Sequence, residues 1–391
     1  MLASLIALGA LGIDAMLPAL PAIGSDFSVT NPNALQWIIT IYFLGSGVGQ
    51  LIFGALSDWL GRKRVLLGGI SIYVILMLVS TLVHSLAILI ILRALQGFAA
   101  SASSVVTRAI VRDLYSGAKM AKVMSISFMI FLAVPILAPS FGQIILTVLP
   151  WQAIFIILAG IGAAVSAWSF VRMPETRPLD LRHRPDLAHI RRVAVFVLAE
   201  RTSIFYTLAV TFMVATLLSY VSLMPQIFHD TFHKPALMAP IFAACAGTMA
   251  AGALLNASLV ERLGSRCISH IALASFVGLT FIHFVLALAN LETLITFLVL
   301  QALTMGCMSL TTSNFGAISM EKVGHVAGTA ASIQGVITTV GGSILGGLIG
   351  QHWHGNITLL PLGACICGAI ALGLVTFGEK GRLFVRDEAE A

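Results

Sequence analysis

The segment Gly54-Ala55-Leu56-Ser57-Asp58-Trp59-Leu60-Gly61-Arg62-Lys63-Arg64 decides the fold, because it joins a long apolar run to a compact group of charges. Its glycines allow two helices and a tight turn to approach closely. Asp58 lies at the end of the apolar run with three cations directly behind it. The segment therefore predicts a charged latch that holds neighbouring helix ends in one conformation. A plain basic loop that only sets orientation is the alternative.

The composition excludes a large water-soluble enzyme. Of the 391 residues, 58% are hydrophobic and only 10% are charged, whereas soluble domains carry about 25% charged residues. Mean hydropathy is +1.00. The formal charge of +6 comes from basic residues in short gaps between apolar runs, which indicates membrane orientation and not a nucleic-acid partner.

Twelve apolar stretches are long enough to cross a bilayer, which takes about 20 residues in a helix. We therefore predict an all-α membrane protein with twelve transmembrane helices. The predicted spans are 2–22, 35–57, 65–83, 86–111, 121–147, 151–171, 203–228, 237–260, 267–288, 291–319, 326–350 and 357–378.

Lysine and arginine mark one side of the predicted membrane. Of the 22 such residues, 19 fall in even-to-odd loops or in the tail, and only Lys234 falls in an odd-to-even loop. The other two, Arg93 and Arg108, lie inside the fourth span. Because positive charge stays in the cytoplasm, we expect a multi-pass protein of the bacterial inner membrane with both termini cytoplasmic.

The two halves of the chain resemble each other. Leu60-Gly61 matches Leu263-Gly264, and Asp58 matches Glu261, at one constant offset of 203 residues. Two parallel repeats of six spans are typical of one large class of transporters. The predicted domains are an N-terminal six-helix bundle at 1–171, a basic cytoplasmic linker at 172–202 and a C-terminal six-helix bundle with a short tail at 203–391.

Asp14 is the one acidic side chain of sixteen that lies deep in an apolar span. Ionisable groups at membrane depth usually mark function, so Asp14 is predicted to bind and release a proton. A fixed structural ion pair is the alternative. Arg93 lies at a similar depth, ~12–14 Å from the outer face, and is its expected partner, unless it faces an aqueous cavity alone. Gln96, nearly one turn from Arg93, is expected to share its face.

Arg112 and Asp113 end the fourth span at the level of the predicted latch. We expect them to pair with Asp58 and Arg62 of that latch, so that helix ends moving apart break the contact. The latch then biases a conformational equilibrium without binding substrate.

Pro135 and Pro139 lie four residues apart in the fifth span, followed by Gly142. Proline removes a backbone donor and bends a helix. The pattern predicts a kink that permits gating, or one that only serves packing.

Polar or soft side chains near mid-span are candidates for lining a substrate cavity, although each is equally suited to packing or to bonding its own helix. These candidates are Tyr42, Gln96, Tyr220, Gln301, Met305, Asn314 and Gln334. No metal site is expected, because His229 and His233 lie in an outer loop and the cysteines are dispersed in apolar runs. No nucleotide-binding P-loop is present in the sequence, so no cofactor is expected apart from the proton as coupling ion.

The chain resembles the major facilitator superfamily, and within it the bicyclomycin and chloramphenicol resistance (Bcr/CflA) drug:H⁺ antiporters. The latch segment is similar to the superfamily signature between helices 2 and 3, and Arg93 to Gly97 to the helix 4 motif. Ile13-Asp14-Ala15-Met16-Leu17-Pro18-Ala19-Leu20-Pro21 resembles the helix 1 motif, whose acid the family implicates in proton coupling. Pro135 to Gly142 is similar to the helix 5 antiporter motif but has Ala138-Pro139 in place of its Gly-Pro core, and Gly324 to Ser332 resembles the beginning of helix 11.

This resemblance implies the major facilitator fold and proton-driven efflux of small amphipathic drug-like molecules by alternating access. We expect a monomer that works in the lipid bilayer with protons and substrate as partners, and no enzyme activity. A proton-coupled symporter that imports a sugar, amino acid or other metabolite is the nearest alternative, since one intramembrane acid fits either direction. A non-transporting receptor or a membrane enzyme is the other, but Asp14 stands without the clustered acids or histidines that an enzyme needs.

Overall fold

A computed structural model describes residues 1–115, 117–182, 184 and 186–384, with backbone alone at 117, 118, 120–122, 124–132, 181, 187 and 189. These residues form two compact units, Met1–Asp186 and Leu187–Ala391. The α-helices of unit 1 are α1 Leu2–Asp14, α2 Leu20–Asp26, α3 Trp37–Leu60, α4 Arg62–Ser80, α5 Leu86–Leu114, α6 Gly117–Leu146 and α7 Gln152–Arg172. Those of unit 2 are α8 Leu187–Ala199, α9 Arg201–Gln226, α10 Met238–Leu263, α11 Ser265–Leu288, α12 Leu294–Met320, α13 Ala327–Gln351 and α14 Leu359–Gly378.

The described helices agree with the predicted spans. Eleven stretches are long and apolar enough to cross a membrane in the described part of the chain. The remaining predicted span, 121–147, falls on α6, of which Ala133–Leu146 is recognised as an apolar helix. Lys122 and Arg386, which the orientation argument used, lie outside the described side chains.

The first span is not one continuous helix, contrary to the prediction for 2–22. It stops at Asp14, passes through a 3₁₀ turn at Leu17–Ala19 and resumes as α2. Two prolines explain the break. The ring of Pro18 cannot donate to the carbonyl of Asp14, four residues earlier, and Pro21 begins the next helix, where a missing N–H costs little.

The repeat predicted from sequence is visible in the helix neighbours of each unit. In unit 1, α1 contacts α5 and α6, α3 contacts α5, and α4 contacts α5 and α7. In unit 2, α9 contacts α12 and α13, α10 contacts α12, and α11 contacts α12 and α14. Helices α1 and α3–α7 therefore correspond in order to α9–α14.

The segment 172–202, predicted as a linker, contains the helix α8. Val193 and Val197 of α8 are buried against Val323, Ala330 and Ile333 of unit 2. This part of the segment therefore packs within the second unit, because successive turns of α8 carry apolar side chains on one face that the basic composition of the segment obscured.

Candidate coupling site and basic-end clamps

Asp14 is the last residue of α1 and its side chain is only 7% exposed. Among the described residues it takes part in no ion pair within 4.0 Å and in no hydrogen bond. A buried carboxylate without a partner costs several kcal/mol if it stays ionised. A buried acid of this kind at membrane depth is a candidate functional group.

Helix α6 packs directly against the break that follows Asp14. A Cβ atom at Gly142 would lie 2.1 Å from the carbonyl oxygen of Ala15 and 3.1 Å from Cγ of Pro18. Only glycine permits this approach. Pro135 and Pro139 lie within α6, about two turns and one turn before Gly142 respectively, and the helix continues through both. The helix 5 pattern is thus in contact with the helix 1 pattern.

Arg93 is fully buried in α5 and its guanidinium is held by neutral acceptors. It donates to the carbonyl oxygen of Gly12 at 3.0 Å, to that of Ile38 at 3.3 Å and to Oε1 of Gln96 at 2.9 Å. Its Cζ lies 4.3 Å from the ring centroid of Tyr42, which adds a cation–π contact. One buried cation therefore joins α1, α3 and α5.

The expected ion pair between Asp14 and Arg93 is absent from the described residues. Arg93 instead reaches the carbonyl of Gly12, two residues before Asp14. The reason is the end of α1, where carbonyl groups carry partial negative charge and attract a cation. Arg93 therefore holds the end of α1 at a point two residues before Asp14.

Gln96 shares the face of Arg93, as expected, but it is not available to a substrate in this structure. Its Nε2 donates to Oγ of Ser80 at 2.7 Å and to the carbonyl of Leu76 at 3.1 Å, while its Oε1 accepts from Arg93. It ties the coupling site to α4.

The other substrate-cavity candidates are also buried within their own units. Tyr42 donates to the carbonyl of Gly9 at 3.0 Å, Asn314 donates to Oδ1 of Asn256 at 2.6 Å, and Gln334 donates to Oγ of Ser203 at 2.8 Å. In this structure each of these three polar groups is hydrogen-bonded inside its own unit. The others are Tyr220, which stacks on Phe242 with centroids 5.5 Å apart, and Gln301 and Met305, which are 4% and 0% exposed.

The predicted latch is a network centred on Arg62, at the end of the helices where the basic loops lie, here called the basic end. Arg62 is 2% exposed; its Nη2 lies 2.7 Å from Oδ1 of Asp58 and its Nε 2.9 Å from Oδ2 of Asp113. Its Nη1 donates to Oγ of Ser57, and its backbone N–H donates to Oε1 of Glu175 at 2.8 Å. We call this set the Arg62 clamp. It ties the ends of α3, α5 and α7 to the start of α4.

The pairing of Asp113 with Arg62 matches the expectation, whereas among the described side chains Asp58 forms no ion pair with the cations near Arg112. Asp58 instead faces Arg62 four residues later, across the turn at Gly61, whose φ is 100°. Arg112 is exposed. The remaining members of the motif surround the clamp: Gly54 accepts from Ser57, Lys63 lies over the Phe170 ring, and Arg64 is exposed.

Unit 2 carries a second clamp that the sequence did not indicate. Arg266 contacts Oε2 of Glu321 at 2.7 Å and Oε1 of Glu379 at 3.0 Å, and so joins the start of α11 to the ends of α12 and α14. Tyr206 also donates to Glu379, at 2.8 Å. We call this set the Arg266 clamp. It escaped the repeat comparison because Arg266 matches Lys63, one position past Arg62, at the offset of 203.

A buried acid at the edge of the predicted span 291–319 was also missed, and the helix itself begins only at Leu294. Glu292, in the loop before α12, is 4% exposed and pairs with His283, which is 1% exposed. The His283 ring packs edge-on against Phe297, with centroids 5.8 Å apart. Its position in a loop gave no signal, since burial there depends on how the loop folds back on α11.

The sequence profile of the Major Facilitator Superfamily matches residues 2–347. This match covers far more than half of the chain. The chain belongs to the Major Facilitator Superfamily.

Two curated bacterial relatives and one solved structure agree with this family. The chain is 31% identical to the "Uncharacterized MFS-type transporter YdgK" of Bacillus subtilis over 96% of this chain and 93% of the relative. It is 28% identical to the "Bicyclomycin resistance protein homolog" of Haemophilus influenzae over 91% of this chain and 89% of the relative. A crystal structure of a bacterial homologue of the human lysosomal transporter Spinster superposes with a TM-score of 0.72 at 13% identity, over 100% and 97% of the two chains.

Membership in the Major Facilitator Superfamily settles the general function and the fold. The protein is a multi-pass membrane transporter with the major facilitator fold, and it resembles the bicyclomycin and chloramphenicol resistance family. Its relatives and structural neighbours are membrane transporters and not enzymes. The predicted all-α fold is confirmed.

Proposed function

We propose that this transporter exports small amphipathic drug-like molecules from the bacterial cytoplasm in exchange for protons, with Asp14 as the proton carrier. One observation carries the proposal: Asp14 is a buried acid at the break in the first span, without a partner among the described residues. The similarity to the bicyclomycin resistance protein homologue of Haemophilus influenzae supports an antibiotic-like substrate.

The arrangement suggests how a proton drives export. With a proton, Asp14 is neutral and stable in its buried position; without one, its charge favours a state that admits water or a cationic group of the substrate. The fixed positive charge of Arg93 is proposed to stabilise the ionised form of Asp14 and so to lower the free energy needed to release the proton. Substrate and proton then favour opposite states, which is the requirement for exchange.

The orientation belongs to the same proposal. The basic end faces the cytoplasm, both termini lie on that side, and the protein works as a monomer in the inner membrane. The concentration of Lys and Arg in the loops at that end supports this orientation.

Transport direction is tested with purified protein in liposomes that contain a pH-sensitive dye. Outward-directed proton gradients should drive uptake of bicyclomycin or chloramphenicol into the lumen, and adding either substrate outside should make the lumen more alkaline. Substrate-driven acidification of the lumen would instead establish symport and overturn the export proposal. Liposomes without protein are the control.

A further inference from the structure

An open groove lies on the surface of unit 2 at the basic end of α14. Its volume is about 690 Å³ and its walls come from the start of α9, from α11 and from one face of α14. Most of the lining is apolar or small, including Val277, Ala369, Gly373 and Phe377. Ala369 and Phe377 are eight residues apart, so the groove runs ~12 Å along the helix, away from its basic end.

Two cations stand at the mouth of this groove, Arg201 and Lys380. Arg201 is the first residue of α9 and Lys380 follows α14 by two residues, so both lie where a helix leaves the apolar layer. Arg201 donates to the carbonyl oxygens of Gly378 and Phe377 and lies 4.9 Å from the centroid of the Phe377 ring. These contacts use two of its five N–H groups and fix the guanidinium at the groove.

No acid of the described residues lies within 4.0 Å of the charged nitrogens of Arg201 or Lys380. Glu379, the acid beside Lys380, is engaged by Arg266 and Tyr206 of the Arg266 clamp. Glu200, the acid beside Arg201, pairs with Lys322 and accepts from the backbone N–H of Ser203. The mouth is left with two positive charges above an apolar channel.

We propose that this groove binds one anionic phospholipid, with the phosphate on Arg201 and Lys380 and an acyl chain along α14. Basic pockets between transmembrane helices at a membrane surface bind acidic headgroups, and arginine suits a phosphate because its planar fork donates two bonds at once. The apolar part of the groove below the cations fits a hydrocarbon chain, whereas a free phosphate ion would make no favourable contact with these walls. The proposal does not depend on the direction of transport or on Asp14.

Gly373 offers a way to block the groove without disturbing the cations. A Cβ atom at Gly373 meets no heavy atom within 4 Å, so Gly373→Leu should fold normally and fill the channel. Gly160 on α7, the counterpart of α14 in unit 1, is equally open. Gly160→Leu is therefore the matched control, and Arg172→Gln, at the exposed end of α7, is the control for loss of a cation.

Native mass spectrometry of the full chain in detergent tests the proposal. Dioleoyl-phosphatidylglycerol, dioleoyl-phosphatidylcholine and inorganic phosphate are the probes. The wild type should retain one phosphatidylglycerol in preference to phosphatidylcholine by about tenfold or more, and millimolar phosphate should not displace it. Lys380→Gln should lower the preference by about fivefold, and Gly373→Leu should weaken both lipids, while both controls behave as wild type.

Three outcomes would overturn the proposal. The first is equal retention of the two lipids by the wild type. The second is unchanged binding in both Gly373→Leu and Lys380→Gln, which would place bound lipid elsewhere. The third is lipid binding that appears only in a chain ending at Phe384, because the last seven residues would then occupy the groove in the full chain. Loss of lipid binding on adding phosphate counts equally against the proposal, because the groove would then bind a simple anion.

Discussion

The two units share a scaffold but differ in what they place inside the membrane. Each has an arginine at the start of its third span that ties the ends of its fourth and sixth spans: Arg62 does so in unit 1 and Arg266 in unit 2. An acid and an arginine at mid-span, in contrast, occur in unit 1, because the interiors of α9–α14 carry no Asp, Glu, Lys or Arg, although α11 carries the histidines His270 and His283 there. The two units thus share their helix arrangement, and one of them carries the buried acid and arginine.

The position of Arg93 makes the contrast specific. If Asp113 and Glu321 are equivalent ends of the fourth and tenth spans, their sequence offset of 208 aligns Arg93 with Gln301 in the repeat. Gln301 is buried and neutral. A charged residue in one unit is therefore replaced by an amide in the other, and the pair offers a direct comparison of function at equal depth.

Arg93→Ala should give the largest effect, since it removes the buried donor that joins the carbonyls of Gly12 and Ile38 and so links α1, α3 and α5. Losing on the order of 3 kcal/mol corresponds to a transport rate about 100-fold lower. Gln301→Ala should change the rate by less than about threefold. Initial rates in liposomes at matched protein content provide the measurement. Equal defects in the two variants would show that the two units contribute alike.

Gly142→Ala should give the next largest effect, because its Cβ would lie 2.1 Å from the carbonyl of Ala15. Overpacking of this kind costs about 1–3 kcal/mol, so we expect roughly a tenfold slower exchange. Gly160→Ala, on the open face of α7, serves as control. Normal exchange by the Gly142→Ala protein would show that the contact between the fifth span and the end of α1 does not affect transport.

The two clamps should differ in strength. Arg62 is 2% exposed and Arg266 is 21% exposed, and solvent weakens exposed ion pairs. Arg62→Gln should therefore slow transport about tenfold with substrate affinity nearly unchanged, whereas Arg266→Gln should slow it only about twofold to threefold. Transport rates and substrate affinity are measured on the same preparations. A larger effect at Arg266 would reverse the assignment of the main clamp.

The pair of His283 and Glu292 should have the smallest effect on transport. It is buried against Phe297, far along the chain from Asp14, and replacing a buried pair with apolar residues of similar volume is often neutral. His283→Phe combined with Glu292→Leu should keep the transport rate and its pH profile within about twofold. His283→Ala alone should lower thermal stability, since it strands a buried carboxylate. A changed pH profile in the double variant would show that a group in unit 2 also contributes to the pH dependence of transport.

Much of this architecture could be predicted from the sequence. Hydropathy gave the spans, the offset of 203 gave the repeat, and the end of the fourth span placed Asp113 near Arg62. These features depend on composition and spacing, which sequence records directly.

The remaining features depend on where side chains point. Arg93 binds carbonyls at the end of α1 because Pro18 stops that helix, and depth alone could not distinguish this from an ion pair with Asp14. Arg266 was missed because its position in the turn is shifted by one residue from Arg62. Glu292 was missed because loop burial is a tertiary property.

The central claim is that Asp14 carries the proton, and Asp14→Asn tests it most directly. An amide cannot titrate, so the variant should lose gradient-driven transport and substrate-driven proton movement while it still exchanges labelled for unlabelled substrate without a gradient. Both reactions are measured in the same liposomes beside wild type. Wild-type rates of gradient-driven transport in Asp14→Asn would contradict the account.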